Sequence, residues 1–486
     1  MRRILGPDAT SCWEVGSIEL AVAVDFGSTF TKLVAIDPQT ETIVATARSR
    51  TTVETDINLG FDAALDHLHD ELGDRHHRVS RFLAASSAAG GLRMVAIGLV
   101  PGLTAEAARR AALCAGAKLL ATFSGRLSTR ESARIEDLDP EIILLVGGTD
   151  GGNTAVVLHN AEVLARASIT APILYSGNKE VADDVEATLC GSGKDVRVSD
   201  NVMPQLGTLN IDPAREVIGE LFMTRIVDAK GIAKVRERVG EVLMPTPMAV
   251  LHAAQLLSHG CDDEAGLGDL VVFDVGGATT DVHSVADGTP ARSDWIPKGL
   301  PEPHAKRTVE GDLGIRWNAE GILDAAGEER VRKLLRTDAP DAVDLPQRAK
   351  ELATRPGTLP TSAVDHDVDT ALASTAVEIS MERHAGRLET VYGLDGPATL
   401  LYGKDLSEVR HLIGVGGVFA REQDAVPILR SALRTPEAPA STRPNDAALT
   451  VDAGYVFFAM GLLASIDARM AVRLLKRHLQ PVGVRS

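Results

Sequence analysis

The fold of this chain is decided by two short stretches, Val24-Asp25-Phe26-Gly27-Ser28-Thr29-Phe30-Thr31-Lys32 and Phe273-Asp274-Val275-Gly276-Gly277-Ala278-Thr279-Thr280-Asp281. Each stretch follows an apolar run that is typical of a buried strand. Each then places an aspartate at the strand end, continues through glycine, presents hydroxyl groups and enters a second apolar run. The pattern predicts two hairpins of the same kind.

The residue types in these hairpins suit a polyphosphate with a magnesium ion. Glycine lets phosphate oxygens approach backbone N–H groups closely, because it has no Cβ. The hydroxyl groups and Lys32 add donors, and a strand-end aspartate can hold the water shell of Mg²⁺. An Asp-x-Gly turn is also common between ordinary strands, so one copy is weak evidence. Two copies in distant parts of the chain, each flanked by strands, favour a phosphate site.

Composition restricts the partners of such a site. The chain has 486 residues, with 50 Lys and Arg against 67 Asp and Glu, and a net charge of -17. Binding to a nucleic acid requires basic tracks along the phosphate backbone, so this acidic balance argues against a nucleic-acid partner. A bound nucleotide is therefore expected to be held locally, by magnesium and backbone amides.

Cysteine usage and hydropathy indicate the compartment. The four cysteines are scattered without C-x-x-C spacing, which favours reduced thiols over a disulfide frame or a zinc site. No signal-peptide pattern follows Met1. The longest lipophilic stretch, 453–466, is too short to cross a bilayer and predicts a buried helix. The chain is therefore expected to be cytoplasmic, with no membrane partner.

The length exceeds one ordinary hydrophobic core, so several domains are expected. The patterns predict a leader at 1–18, a first lobe at 19–204, a helical connecting or inserted region at 205–265, and a second lobe at 266–486. Two further glycine bends follow apolar strands, Leu145-Val146-Gly147-Gly148-Thr149-Asp150-Gly151-Gly152 and Leu412-Ile413-Gly414-Val415-Gly416-Gly417-Val418-Phe419. Each bend follows its hairpin at a comparable distance, which predicts that the second half replays the first.

These motifs resemble those of the actin, heat-shock chaperone and sugar-kinase superfamily. The resemblance implies an α/β fold with two ribonuclease H-like lobes that clamp ATP and magnesium between them. The two hairpins are similar to the first and second phosphate motifs of that superfamily. Residues 412–419 resemble its adenosine motif, and residues 146–152 resemble either a connecting segment or a second adenosine-like bend.

A narrower resemblance covers nearly the whole chain. With Arg307-Thr308-Val309-Glu310-Gly311-Asp312-Leu313-Gly314 and Met381-Glu382-Arg383-His384-Ala385-Gly386, the motifs resemble the MutL accessory protein family of glutamate mutase. The resemblance implies a chaperone-like ATPase that helps an adenosylcobalamin-dependent aminomutase exchange damaged cofactor. Its partners would be subunits of a cobalamin-dependent mutase.

The same resemblance implies roles for single residues. Asp25 and Asp274 would hold the magnesium ion, and Asp274 would also orient the attacking water. Glu310, the second catalytic candidate, would reach the nucleoside or the water. The remaining nucleotide-binding candidates are Gly27, Ser28, Thr29, Lys32, Gly276, Gly277, Thr279, Thr280, Gly416 and Gly417.

Other interpretations remain open at the level of sequence. Asp281 and Asp312 could cap turns, and Glu310 could be a carboxylate at a helix N-terminus. The scaffold could instead serve a small-molecule kinase, with Asp150 as the best candidate base, or an ATP-dependent amidohydrolase of the hydantoinase type. It could also hold a nucleotide without cleaving it. The oligomeric state is not indicated.

Overall fold

The computed structural model describes residues 18–52, 56–73, 77–86, 92–115, 117–228, 235, 238–240, 242–262, 264–394 and 396–483. The expected leader at 1–18 lies outside the described residues except for Ile18. Part of the helical pattern expected in 205–265 lies outside them as well.

The described strands, in chain order, are β1 (Ile18–Phe26), β2 (Phe30–Asp37), β3 (Thr42–Arg50), β4 (His77–Ser86), β5 (Arg93–Gly98), β6 (Lys118–Ser124), β7 (Ile142–Leu145), β8 (Ile173–Tyr175), β9 (Val196–Val198), β10 (Val242–Pro245), β11 (Gly260–Cys261), β12 (Glu264–Ala265), β13 (Leu270–Val275), β14 (Thr280–Val285), β15 (Trp295–Lys298), β16 (Ala305–Glu310), β17 (Arg387–Gly393), β18 (Gly396–Tyr402), β19 (His411–Val415), β20 (Ala448–Asp452) and β21 (Gln480–Val482).

The described helices are α1 (Ile57–Leu72), α2 (Thr104–Cys114), α3 (Thr129–Leu138), α4 (Ala155–Arg166), α5 (Ala182–Cys190), α6 (Asp212–Asp228), α7 (Thr246–His259), α8 (Ala319–Ala326), α9 (Glu328–Arg332), α10 (Leu345–Thr354), α11 (Ala363–His384), α12 (Glu422–Arg430), α13 (Phe457–Leu463) and α14 (Ala468–His478).

Two sheets repeat one topology. The first has the order β10-β4-β1-β2-β3, and the second has the order β16-β14-β13-β19-β20-β21. In both sheets the first three strands of the sheet, in chain order, pair antiparallel and the next two add in parallel, while β21 extends the second sheet as an antiparallel edge. This order is that of a ribonuclease H-like sheet. The prediction of an α/β fold with two lobes of the actin and sugar-kinase type is confirmed.

The region 205–265 is not purely helical. Strand β10 lies within it and pairs in parallel with β4, so this region supplies the last strand of the first sheet. Four residues are too few to show the alternation that identifies a strand, and its partner lies far away in the chain. The region then continues into α7, which Pro245 precedes as the N-cap residue.

The segment 19–204 contains two sheets and not one. The second of them has the order β6-β5-β7-β8-β9, and all of its strands are parallel. This doubly wound sheet, with helices α2 to α5, is inserted between β4 and β10; we call residues 92–198 the inserted unit. Gly147 follows β7 of this unit, whereas the counterpart of β19 in the first lobe is β4. The two glycine bends at Gly147 and Gly416 are therefore not equivalent positions, and comparing their distances from the two hairpins was wrong.

Helix α7 lies between the two ribonuclease H-like sheets. Its Val250 and Leu257 share one buried cluster with Ala23 of β1 and Val272 of β13. The other faces of β1 and β13 pack into separate cores, one in each lobe. Both strands are therefore buried on both sides, as their apolar sequences predict. Because β1 and β13 both pack against α7, the two hairpins that these strands begin lie close together.

The remaining described sheets are small. Strands β15, β18 and β17 form a three-stranded sheet in the second lobe, and β11 pairs with β12 just after α7. Within the described residues, none of the helices combines the length and the apolar character that crossing a membrane requires. The lipophilic stretch at 453–466 forms the short buried helix α13.

A buried histidine in the second lobe leads to a pH prediction. His384 is 0% exposed, and its ring nitrogens lie 2.8 Å from the hydroxyl oxygens of Thr308 and Ser284. Burial, reinforced by Lys306 and Lys404, places the pKa of His384 well below its ordinary value. The unfolded chain therefore binds the extra proton first, so this contribution to stability is present above the unfolded pKa of about 6.5 and is lost as the pH falls below it.

We expect the wild-type protein to have a larger free energy of unfolding than His384→Asn at pH 7.5. Below pH ~6.5, the difference between the two proteins should decrease by about 1.4 kcal/mol per pH unit. Denaturant unfolding of both proteins from pH 7.5 to pH 5 measures the difference. His69→Asn, which changes an exposed histidine of α1, controls for the substitution. A constant difference across this range would contradict the prediction.

Candidate active site

The two hairpins have the same turn geometry. The backbone N–H of Gly27 donates to the carbonyl of Phe30 at 3.2 Å, and that of Gly276 donates to the carbonyl of Thr279 at 2.9 Å. In each hairpin the strand-end aspartate faces a charged residue on the returning strand, Lys32 opposite Asp25 and Asp281 opposite Asp274. The local sequence pattern therefore produces one structure twice.

The two turns face each other across a cleft. A Cβ at Gly277 would lie 3.1 Å from the Thr29 hydroxyl oxygen in the opposite hairpin. A Cβ at Gly27 would lie only 2.6 Å from the carbonyl oxygen of Phe30. Glycine is thus required at one position by the turn itself and favoured at the other by the closeness of the lobes.

A cavity of about 1050 Å³ lies between the lobes. Most candidate residues from the sequence line it, namely Asp25, Gly27, Ser28, Thr29, Lys32, Asp274, Gly276, Gly277, Thr279, Glu310, Gly416 and Gly417. Both strand-end aspartates therefore belong to one crevice.

Thr280 is the candidate that does not line the cavity. It is 0% exposed, and its hydroxyl group donates to the carbonyl of Leu313 at 2.7 Å. Thr31, at the same position of the first hairpin, likewise pairs inward, with the hydroxyl of Thr51 at 3.1 Å. Successive side chains of a strand point to opposite faces, so the residue after Thr279 is turned away from the cleft.

Asp25 is held by two groups on the floor of the cleft. Its Oδ1 accepts a hydrogen bond from the hydroxyl of Thr246 at 2.6 Å, and its Oδ2 lies 3.4 Å from Lys32 Nζ. Burial lowers the pKa of Lys32, but the nearby carboxylates of Asp25 and Asp274 outweigh it, and the pKa is raised. Lys32 is therefore a charged group beside Asp25 that also feels the carboxylate of Asp274.

Asp274 lies in a different environment from Asp25. Burial raises its pKa to about 7, and the carboxylates of Asp281 and Asp25 add to the shift while Lys32 opposes it. A buried carboxylate with other carboxylates nearby is stabilised by an additional cation. This arrangement suits a metal ion placed between Asp25 and Asp274.

Asp281 is an ion-pair partner of Arg307. Its Oδ1 lies 2.5 Å from Nη2 of that arginine, and its Oδ2 accepts from the hydroxyl of Thr279 at 3.0 Å. Asp281 therefore fixes the side chain of Thr279 beside the cavity. Its position inside β14 means that it does not cap a turn.

Glu310 ends strand β16, so it is not at a helix N-terminus. It accepts a hydrogen bond from Arg383 Nη1 at 2.6 Å, and the same guanidinium bonds both carboxylate oxygens of Asp312. Burial raises the pKa of Glu310, although Arg383 opposes this shift. Glu310 lines the cavity and Asp312 does not, so Arg383 connects a residue of the cavity wall to one outside it.

The glycines after β19 meet the second hairpin. Gly416 has a φ of 118°, and a Cβ there would lie 2.5 Å from the carbonyl oxygen of Val275. A Cβ at Gly417 would lie 2.8 Å from the hydroxyl oxygen of Tyr455. Both glycines therefore line the cavity next to the second hairpin.

Asp150 and Gly147 lie outside the described lining of the cleft, at the edge of the inserted unit. The Oδ1 of Asp150 accepts from the Asn201 amide at 2.9 Å and from the backbone N–H of Lys179 at 3.1 Å. Its carboxylate is occupied in the loop that follows β7. It is therefore poorly placed as the catalytic base of a kinase.

Three residues of the cleft were given no role by the sequence patterns above, namely Thr246, Arg307 and Tyr455. Thr246 is the first residue of α7, and its hydroxyl group bonds Asp25. This contact depends on β10, which pairs with β4 next to β1 and so places the start of α7 near Asp25. Tyr455 follows the strand-end residue Asp452, and its ring lies 5.4 Å from Lys32 Nζ. The sequence signal for Tyr455 is the stretch Asp452-Ala453-Gly454 just before it, which repeats the pattern of an apolar run, an aspartate and a glycine.

The residues present fit a magnesium-bound polyphosphate. The hydroxyl oxygen of Thr29 is buried in the cleft without a hydrogen-bond partner among the described residues. Two carboxylates from opposite lobes face the same space. Magnesium prefers few protein carboxylates with additional phosphate and water oxygens. In the described part of the chain, no cluster of three or more His, Cys, Asp or Glu forms a site made wholly of protein ligands.

Comparison with known proteins adds a family. The model of a family described as MutL protein matches residues 21–479. A Clostridium tetanomorphum protein named Protein MutL is 44% identical over 459 residues, which cover 94% of this chain and 99% of that protein.

Solved structures also match over most of their length. The ethanolamine utilization protein EutJ from Carboxydothermus hydrogenoformans is 13% identical, covering 96% of this chain and 91% of its own, with a TM-score of 0.29. A glycerol dehydratase reactivase is 11% identical, covering 92% and 99%, with a TM-score of 0.33. These scores are low, and the evidence for the fold is the strand order of the two sheets.

Proposed function

The chain belongs to the MutL protein family, and we propose that it is a chaperone-like, magnesium-dependent ATPase that reactivates an adenosylcobalamin-dependent aminomutase such as glutamate mutase. It would do so by helping the mutase exchange damaged cofactor. The observation that carries the ATPase part is the pair of facing hairpins, each with a strand-end aspartate and a glycine turn, around one cavity.

The proposed roles follow the geometry of the cleft. The turns at 27–29 and 276–279 offer backbone N–H groups and the hydroxyls of Ser28, Thr29 and Thr279 to phosphate oxygens. Magnesium, when bound, would neutralise developing phosphate charge. Asp25 and Asp274 would hold that ion, and Lys32, which pairs with Asp25, would add a positive charge toward the phosphates.

Hydrolysis on this scaffold is proposed to be slow and to drive a change of shape. Asp274 is the candidate that orients the attacking water, because it faces the cavity from the second hairpin. Glu310 is proposed as an acceptor for the nucleoside or the water, since Arg383 already holds it at the cleft wall. The cleft lies between two lobes joined by α7, so closing around a nucleotide would move one lobe relative to the other.

The partner is proposed to be the subunits of a cobalamin-dependent mutase, on the strength of family membership. The test uses purified protein, ATP and Mg²⁺, first alone and then with aminomutase inactivated by turnover and fresh adenosylcobalamin. We expect phosphate release well below the roughly 1–100 s⁻¹ of kinases, and recovery of mutase activity only when ATP is present.

The controls separate this function from its alternatives. When ATP is replaced by a non-hydrolysable analogue, mutase activity should not be recovered repeatedly. Rapid transfer of the γ-phosphoryl group to a metabolite would overturn the proposal in favour of a kinase. ATP binding without any hydrolysis or reactivation would leave only a nucleotide-binding protein.

A further inference from the structure

The inserted unit forms a third wall of the cleft. Arg109 and Leu113 of α2 line the cavity, as do Ala117, Lys118 and Leu119 at the start of β6. Nothing in the hairpin motifs requires this, because the fold of each lobe is complete without the unit. The cavity is therefore bounded by both lobes and by an added sheet.

The inserted unit is held to the second lobe by polar contacts. Arg110 donates to the carbonyl of Pro301 at 2.6 Å and to Glu302 Oε1 at 2.7 Å. Arg307, which also bonds Asp281 in the cleft, donates from Nη1 to the carbonyl of Leu113 at 2.7 Å. The C-terminal end of α2 is thus connected through one buried arginine to the second phosphate hairpin.

Lys118 lies beside that hairpin. A Cβ at Gly311 would be 3.8 Å from Lys118 Cε. The amide of Asn318 donates to the carbonyls of both Gly311 and Ala278, at 2.8 and 2.7 Å, and so fixes Gly311 next to the glycine turn. The ammonium group of Lys118 therefore faces the cavity near the 276–279 turn.

The charge of Lys118 is not otherwise used. Most other cations around the cavity have a carboxylate partner, in the pairs Lys32 with Asp25, Arg109 with Glu106, Arg307 with Asp281, Arg316 with Asp369 and Arg421 with Asp424. Arg48 donates to the hydroxyl of Tyr455. Lys118 is exposed, and within the described ranges no carboxylate lies within ion-pair distance of it.

We propose that Lys118 binds the terminal phosphate of the nucleotide and thereby makes the inserted unit responsive to whether a triphosphate or a diphosphate is bound. This inference rests on the proposed ATP site and adds a ligand from outside the two hairpins. A flexible ammonium group is suited to a phosphate because it acts as a point charge with three donors. Lys118 is the first residue of β6, its backbone N–H bonds the carbonyl of Leu92, and β6 pairs with β5, so Lys118 is attached to the edge of the sheet of the inserted unit.

The test compares Lys118→Ala, Lys118→Arg and Lys179→Ala in the full chain. Lys179 is an exposed lysine of the same unit that pairs with Asp150 away from the cleft, so it is the matched control. Affinity for ATP and for ADP is measured in the presence of Mg²⁺. We expect Lys118→Ala to weaken ATP binding about tenfold or more and ADP binding much less, while Lys118→Arg and Lys179→Ala stay close to wild type.

Amide hydrogen exchange provides a readout that a structural role would not produce. ATP should protect residues 104–124 in wild type and in Lys118→Arg but not in Lys118→Ala, while the hairpins at 24–32 and 273–281 gain protection in all three. Unchanged ATP affinity and unchanged protection in Lys118→Ala would overturn the assignment of Lys118 alone. If ATP protects neither the hairpins nor the inserted unit in wild type, the ATP site itself fails, and Lys118 fails with it.

Discussion

Asp274→Asn is expected to lower the rate of ATP hydrolysis about 100-fold or more, and to weaken the binding of Mg²⁺-ATP as well, because Asp274 is also a proposed magnesium ligand. An amide can fill the same space but does not orient or accept a proton from the attacking water as a carboxylate does, and such positioned groups contribute roughly 10²–10⁴-fold. Single-turnover phosphate release and equilibrium binding, both with Mg²⁺, measure the two quantities.

The substitution should not impair folding, which makes a loss of rate interpretable. Burial and neighbouring carboxylates raise the pKa of Asp274, so removing its charge relieves a repulsion inside the cleft. Asp269→Asn is the matched control, because Asp269 is exposed at the opposite end of strand β13. A hydrolysis rate for Asp274→Asn equal to that of Asp269→Asn would remove Asp274 from the catalytic machinery.

Gly461→Ala is expected to destabilise the protein by roughly 2–3 kcal/mol, the upper part of the range for overpacking. Gly461 lies in α13, where a Cβ would come within 1.8 Å of the carbonyl oxygen of Ala249 in α7. The two helices must separate to admit one methyl group, and α7 is the helix on which both sheets pack. Urea unfolding followed by circular dichroism measures the shift.

Gly219→Ala serves as the control for the same chemical change. Gly219 lies in α6, and a Cβ there would meet nothing within 4 Å. Alanine has the higher helix propensity, so this variant should be more stable by up to about 1 kcal/mol. If both variants shift in the same direction, the close contact of α7 with α13 is not what Gly461 provides.

Three aspartates at strand ends illustrate what local sequence can and cannot assign. Asp25, Asp274 and Asp452 each end a buried strand ahead of a glycine. The first two line the cavity, but Asp452 accepts from the backbone N–H groups of Val456 and Phe457 at 3.0 and 2.8 Å and caps the start of α13. The motif is the same, and the surroundings determine whether the carboxylate faces a cleft or a helix N-terminus.

The same limit applies to short strands and to spacings along the chain. Strand β10 has only four residues, and it becomes a strand because the edge of β4 is free to pair with it. The glycine bend at Gly147 resembles that at Gly416, yet it follows a strand of the inserted unit. Distance along the chain could not show this, because an insertion changes spacing without changing the topology of the sheet that it interrupts.

The sequence by itself determined the two hairpins, their glycines and their strand-end aspartates, because a tight turn with a close backbone approach is a local requirement that a few residues satisfy or fail. Only the tertiary structure decided that Thr280 points away from the cleft, that Thr246 holds Asp25, and that the inserted unit brings Lys118 to the second hairpin. Those relations depend on pairing and packing between residues that are distant in the chain, and such contacts leave no periodic signal in the sequence.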